Sequence, residues 1–223
     1  MPTSHLNLIE EVIGPMVYLD PKSILDIGPG FGKFGFLARE FLEVWEGDIN
    51  RLKKWARRID AIEVFPEYLT PVHSYIYDKV HVGDAAAILP TITDHYDLVI
   101  FIGVLEHFEY ERGVAVVREC LRVGRNVLIA VPQNLGDQGE MFGNPYERHL
   151  ADWRKKNFEQ FGPFCVVPQE DCLVVCLGPD AERLRQTLRY VAARTFIRRH
   201  ALWLRFIYRH MKKNPQILPN ARM

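Results

Sequence analysis

The sequence predicts an α/β fold: a doubly wound, mostly parallel seven-stranded sheet with an antiparallel C-terminal hairpin, plus a C-terminal helical tail. Three observations predict it. Five apolar, β-branched runs alternate with segments of helical periodicity. The first run opens straight into a glycine-rich turn, SILDIGPGFGKFG at 23–35. After the fifth run the rhythm changes, and two further apolar runs follow, joined only by the polar PQED. With 223 residues, 48% of them apolar, the chain can bury an ample core.

The elements follow in order. MPTSHLNLIEEVIG suits an amphipathic helix at 4–13, with Leu6, Ile9, Val12 and Ile13 on one side and Gly14-Pro15 ending it. It lacks the basic start and apolar centre of a signal peptide. Strands are predicted at 23–28, 59–64, 79–82, 96–103 and 126–132. Their two-sided apolar character suits a parallel sheet covered by helices on both faces. Helices are predicted at about 33–45, 84–89 and 109–123, making right-handed crossovers. A Gly/Asn-rich loop at 133–149 leads to a short helix in LADWRKKNFEQFG, then to a hairpin of 164–167 and 172–178. Cys120, Cys165, Cys172 and Cys176 lack metal spacing and read as buried, reduced thiols, which suits a cytoplasmic protein.

Zero net charge hides an asymmetry. Residues 1–181 carry a net −10 and residues 182–223 a net +10. The sequence therefore divides into a domain at 1–179 and a basic amphipathic helical tail at 180–223. The tail reads as one long helix or two, capped by Asp180 and stopped by Pro215, with Leu184, Leu188 and Val191 as an inner stripe. Beyond it, Phe196, Ile197, Leu202, Trp203, Leu204, Phe206, Ile207 and Tyr208 are too many for one narrow face. Arginine mixed with such bulk over 180–213 fits self-association or packing first, a peripheral membrane surface second and nucleic acid last.

Three ligands compete for the glycine turn. A P-loop is excluded, because Phe34 follows Gly32-Lys33 and Ile27 stands where its first glycine belongs. Gly30, Gly32 and Gly35 fit the dinucleotide pattern G-x-G-x-x-G, but Glu63 comes later than the usual ribose acid, about 20 residues on. The third reading starts from Asp26. Asp26, Gly28, Gly30 and Gly32 match the first motif of class I S-adenosylmethionine (SAM)-dependent methyltransferases, and the chain resembles that family from about 20 to 178.

The resemblance implies a SAM cofactor. It places Glu63, with Val64 beside it, like the acid that accepts from both ribose hydroxyls, and Asp84, with Ala85, like the residue receiving the adenine amino group. Gly103, in YDLVIFIGVLEHF, falls near the methionine end, with Glu106-His107 just beyond. Glycine in such a turn would let bare backbone lie against the adenosyl and methionine portions. One departure is length: 36 residues separate Asp26 from Glu63. The excess near 44–58 is basic, carries Trp45 and Trp55, and reads as a surface helix or part of an interface.

Methyl transfer from a sulfonium is an in-line displacement, so the protein mainly orients and dehydrates the reactants. His107 is the candidate base, and Tyr146, His149 and Trp153 are candidate pocket residues in GNPYERHLADW. Asn144-Pro145-Tyr146 reads as a turn entering a helix near Leu150. Gly136, Gly139 and Gly143 would let 133–149 close over an acceptor. No spacing suggests a metal. The expected activity is methyl transfer to an oxygen or nitrogen of a small molecule, lipid or saccharide. The alternatives are a cofactor-binding scaffold without turnover, and a methyltransferase acting on a protein or RNA through the tail.

Overall fold

The computed structural model describes residues 3–46, 50, 54–134, 136 and 138–196. Seven strands form one sheet in the order β3-β2-β1-β4-β5-β7-β6. They are β1 (Ser23–Ile27), β2 (Arg58–Glu63), β3 (Lys79–Val82), β4 (Tyr96–Ile102), β5 (Gly124–Pro132), β6 (Phe164–Val167) and β7 (Cys172–Leu177). The first five are parallel, and β7 runs antiparallel to both β5 and β6. All seven predicted strands are present.

The chain winds from β1 outward to β3, then returns to β4 on the other side of β1. That reversal opens a crevice at the carboxyl ends of β1 and β4, where ligands of open α/β sheets bind. Register sets the depth of the crevice: Ile27 lies beside Ile62 on one flank and Phe101 on the other. On one sheet face, Leu25, Ile27, Ile62, Val99, Phe101, Val127 and Ile129 join Val114, Val117, Cys120 and Val123 in one buried core. The last four lie on an amphipathic helix at Tyr110–Val123.

The other helices are α1 (Ile9–Leu19), α2 (Lys33–Leu42), α3 (Pro71–Ile76) and α4 (Ala85–Ile88), which makes Tyr110–Val123 α5. α1 corrects the expectation that Gly14-Pro15 ends the first helix. Pro15 sits inside it and forfeits one backbone hydrogen bond, but Pro15 and Met16 are buried in return. The helix stops at Asp20, whose left-handed backbone (φ 49°) is held by ion pairs to Arg57 and Lys22, each at 2.6 Å. α3 lies where no helix was predicted.

The long β1–β2 connection is anchored by a buried charge cluster. Arg39 is 2% exposed and donates to Glu43 Oε1 (2.7 Å), to the Ile76 and Arg57 carbonyls and to Asp78. Trp55 lies against Arg39 and Tyr75, whereas Trp45 is 77% exposed and stacked on Phe41. So the two tryptophans do not pack alike. Most of the basic stretch between them lies outside the described residues.

Compact units divide at Leu184–Arg185. Asp180 takes ion-paired hydrogen bonds from Arg125 and one from Asn126, and the helix that follows runs through 181–196. Leu184 is buried as expected, but Val191 is exposed. The aromatic run 197–208 and the remaining basic residues lie outside the described residues. Among those described, no helix is long and apolar enough to cross a membrane.

Candidate active site

A cavity of about 400 Å³ opens at the carboxyl ends of β1, β2, β4 and β5. Asp26, Gly28, Gly30, Glu63, Val64, Asp84, Ala85, Gly103, His107, Tyr146 and His149 all line it. Two predicted residues do not. Gly32 stands behind the wall as the N-cap of α2, with φ 81°; a Cβ there would press on Ile76 at 3.0 Å. Trp153 is 1% exposed and packs against Tyr110 and Phe158, because the absent side chain of Gly113 leaves room for its ring.

The glycine turn is shaped by the protein's own packing. Gly28 has φ 67°, and a Cβ there would lie 2.5 Å from Val104 Cγ2. Its bareness therefore lets the β1 and β4 turns nest together, a reason the sequence did not suggest. Across the turn, Glu63 ends β2 with its carboxylate accepting from Gly30 N–H (3.3 Å) and Phe65 N–H (2.9 Å). Burial raises the affinity of Glu63 for a proton. Asp26 is 3% exposed and accepts from the Tyr77 hydroxyl at 2.6 Å; burial lifts its pKa to about 7. Asp84 caps α4 through Ala86 N–H (2.8 Å) and pairs with Arg112.

The other end of the cavity joins two segments far apart in sequence. After β4 a single 3₁₀ turn carries Leu105–His107. Its Glu106 carbonyl accepts from Leu150 N–H (2.8 Å) and Ala151 N–H (3.2 Å), which docks the 138–151 segment against it. That contact brings His149 to His107, ring centroids 5.1 Å apart. The Asn144 side chain accepts from Tyr146 N–H, so Asn144-Pro145-Tyr146 is the expected turn. It enters a 3₁₀ turn at Pro145–Glu147; the next helix begins only at Lys155, not near Leu150.

Sequence reasoning gave several wall residues no role. Glu106 is 4% exposed, and burial raises its pKa to about 8. Glu106, His107 and His149 each offer one ligand atom within 4.8 Å of the others, a grouping that spacing along the chain did not reveal. Burial of His107 disfavours its charged form. Glu147 and Tyr68 meet through a 2.9 Å hydrogen bond. Thr3, Ser4 and His5 close one side, held by Lys33 donating to Ser4. Glu106 was legible beside His107 but not its burial or its grouping with His149; the N-terminal wall carried no signal.

Comparison with solved structures decides the fold. The N-terminal domain of EvdMO1 with S-adenosylhomocysteine (SAH) bound superposes with a TM-score of 0.55 at 14% identity, over 78% of this chain and 81% of that one. The chain has the class I methyltransferase fold. The same domain, crystallised in the presence of SAH and D-fucose, gives 0.54 at 14% identity, over 78% and 83% of the two chains. PigF with SAH gives 0.51 at 13%, over 74% of this chain and 53% of PigF. No protein-family model and no curated protein sequence matches the chain. In this methyltransferase fold, the cavity described above occupies the crevice at the sheet's topological switch.

Proposed function

We propose that the chain is a SAM-dependent methyltransferase acting on an oxygen or nitrogen of a small-molecule, lipid or saccharide acceptor. One observation carries the reading: a buried carboxylate, Glu63, closes on a bare glycine turn at the mouth of β1 and β2. Neither oxygen of Glu63 is used up by the amides of Gly30 and Phe65, so both can still accept from vicinal ribose hydroxyls. The SAH bound to the EvdMO1 domain and PigF supports the same cofactor here.

In this reading Val64, Asp84 and Ala85 would hold the adenine. The Asp84 oxygens already serve Ala86 and Arg112 and keep lone pairs for the exocyclic amine. Gly28, Gly30 and Gly103 would hold the methionine portion, with Asp26 as the partner for its ammonium. An ammonium beside Asp26 would favour the ionised carboxylate that burial now disfavours. The acceptor enters between His107, His149 and Tyr146. Bound SAM would supply an electrophilic methyl group at this end of the cavity, and the acceptor's proton would pass to a base or to water.

Calorimetric titration separates the readings. SAM and SAH should each bind one-to-one while NAD gives no heat; saturable NAD binding would favour the dinucleotide alternative. Label transfer from methyl-labelled SAM to a fraction of cell extract is the expected second result. SAH binding without any transfer would support a scaffold.

A further inference from the structure

We propose that Glu106, His107 and His149 bind a divalent first-row transition-metal ion of the Mn²⁺, Fe²⁺, Co²⁺ or Zn²⁺ kind at the acceptor end of the cavity. Metal binding itself does not depend on methyl transfer; only the use of the ion rests on that reading.

Both rings are oriented as ligands. His107 Nδ1 lies 3.0 Å from the Arg148 carbonyl, and His149 Nδ1 lies 3.0 Å from the Gly136 carbonyl. A carbonyl only accepts, so each Nδ1 carries the proton and each Nε2 presents a lone pair. Backbone carbonyls hold metal-ligating histidines in this way, fixing the tautomer and the ring. Two imidazoles at 5.1 Å, both offering lone pairs, have nothing to give each other. A shared electrophile would use both lone pairs.

The carboxylate points the same way. Glu106 is 4% exposed, and its Oε2 is buried with no hydrogen-bond partner among the described residues. Such an atom calls for a ligand. Glu106 lines the cavity along with both histidines. Its backbone carbonyl holds Leu150 and Ala151, so the segments bearing the ligands are fastened together before any ion arrives. Ligand atoms about 2.1 Å from a tetrahedral ion stand about 3.4 Å apart, so drawing in atoms now within 4.8 Å needs side-chain rotation of roughly an ångström.

Donor chemistry selects the ion. Two nitrogens and one carboxylate suit first-row transition metals, whereas Mg²⁺ and Ca²⁺ favour all-oxygen shells. Three protein ligands leave a position open. If the chain methylates a hydroxyl, that oxygen would take the open position and lose its proton to solvent. It would then form the O–CH3 bond while the S–CH3 pair returns to sulfur, leaving the methyl ether, SAH and one proton.

The test uses untagged full-length protein, stripped with a chelator and titrated with Co²⁺. Visible absorption and calorimetry follow binding, and an SAH titration serves as the fold control. One saturable site with ligand-field bands is expected. Affinity should fall at least about tenfold in His149→Ala and Glu106→Gln, with SAH binding retained; His107→Gln is a further variant should either fail to fold. Wild-type protein that binds SAH without binding Co²⁺ would overturn the site, as would bands unchanged in folded His149→Ala. Co²⁺ binding without SAH binding would support the metal site and overturn the methyltransferase reading instead.

Discussion

Replacing Asp26 by asparagine separates what the carboxylate costs the fold from what it does for the cofactor. The side chain is 3% exposed and burial lifts its pKa from 3.8 to about 7, with the charge of Glu63 adding to the rise and the Tyr77 hydroxyl opposing it. Three units correspond to a ceiling of about 4 kcal/mol by which the ionised form is disfavoured in the folded chain. The sign follows from proton counting. Between about pH 4 and 7 the native state holds more protons than the unfolded state, so stability falls as pH rises through that window. Asparagine carries no charge, and its carbonyl can still accept from Tyr77.

Asp26→Asn should therefore stabilise the ligand-free protein by about 2–4 kcal/mol at pH 8 and leave it nearly unchanged at pH 4. At ~2–4 °C per kcal/mol for a domain of this size, that is a rise of roughly 5–15 °C in Tm at pH 8. Differential scanning calorimetry at the two pH values reads it directly. In the same variant SAM affinity at pH 8 should drop about tenfold or more, since the ammonium loses its counter-charge. A variant less stable than wild type at pH 8, or shifted equally at both pH values, would refute the reasoning about burial.

Glu63→Gln should weaken SAH binding by about tenfold or more in calorimetry, because its single acceptor oxygen cannot serve both ribose hydroxyls, and should cost about 1–3 kcal/mol of stability, since the NH2 group replaces the acceptor of either the Gly30 or the Phe65 amide. Gly28→Ala should cost about 2–3 kcal/mol in urea denaturation, its Cβ facing Val104 at 2.5 Å in a backbone with φ 67°. In the wild-type protein SAM affinity should rise with pH through about 7 as Asp26 ionises, and Asp26→Asn should abolish that dependence, both read by titration across pH.

The sheet was legible because its central strands are buried on both faces and so spell continuous apolar runs, as in YDLVIFI. Helix ends were less so. Pro15 looks like a stop and becomes core, since local propensity yields to burial. α3 has only six residues, opens with Pro71, and is capped by a reciprocal Thr70–His73 pairing that apolar periodicity does not register. In the cavity, the residues at strand ends could be placed from their motifs. What pairs with them could not: Tyr77 reaches Asp26 across 51 positions, and His149 meets His107 through a carbonyl contact that leaves no mark on the sequence. Gly32 illustrates the limit, for it belongs to the glycine pattern and yet serves helix packing.

A crystal structure of the full chain grown with SAH tests the central claim most directly. Density for the ribose hydroxyls on the Glu63 carboxylate, with the thioether sulfur beside Gly103 and facing His107, is the expected result. A cavity filled by the protein's own side chains, or SAH bound away from Glu63, would contradict it.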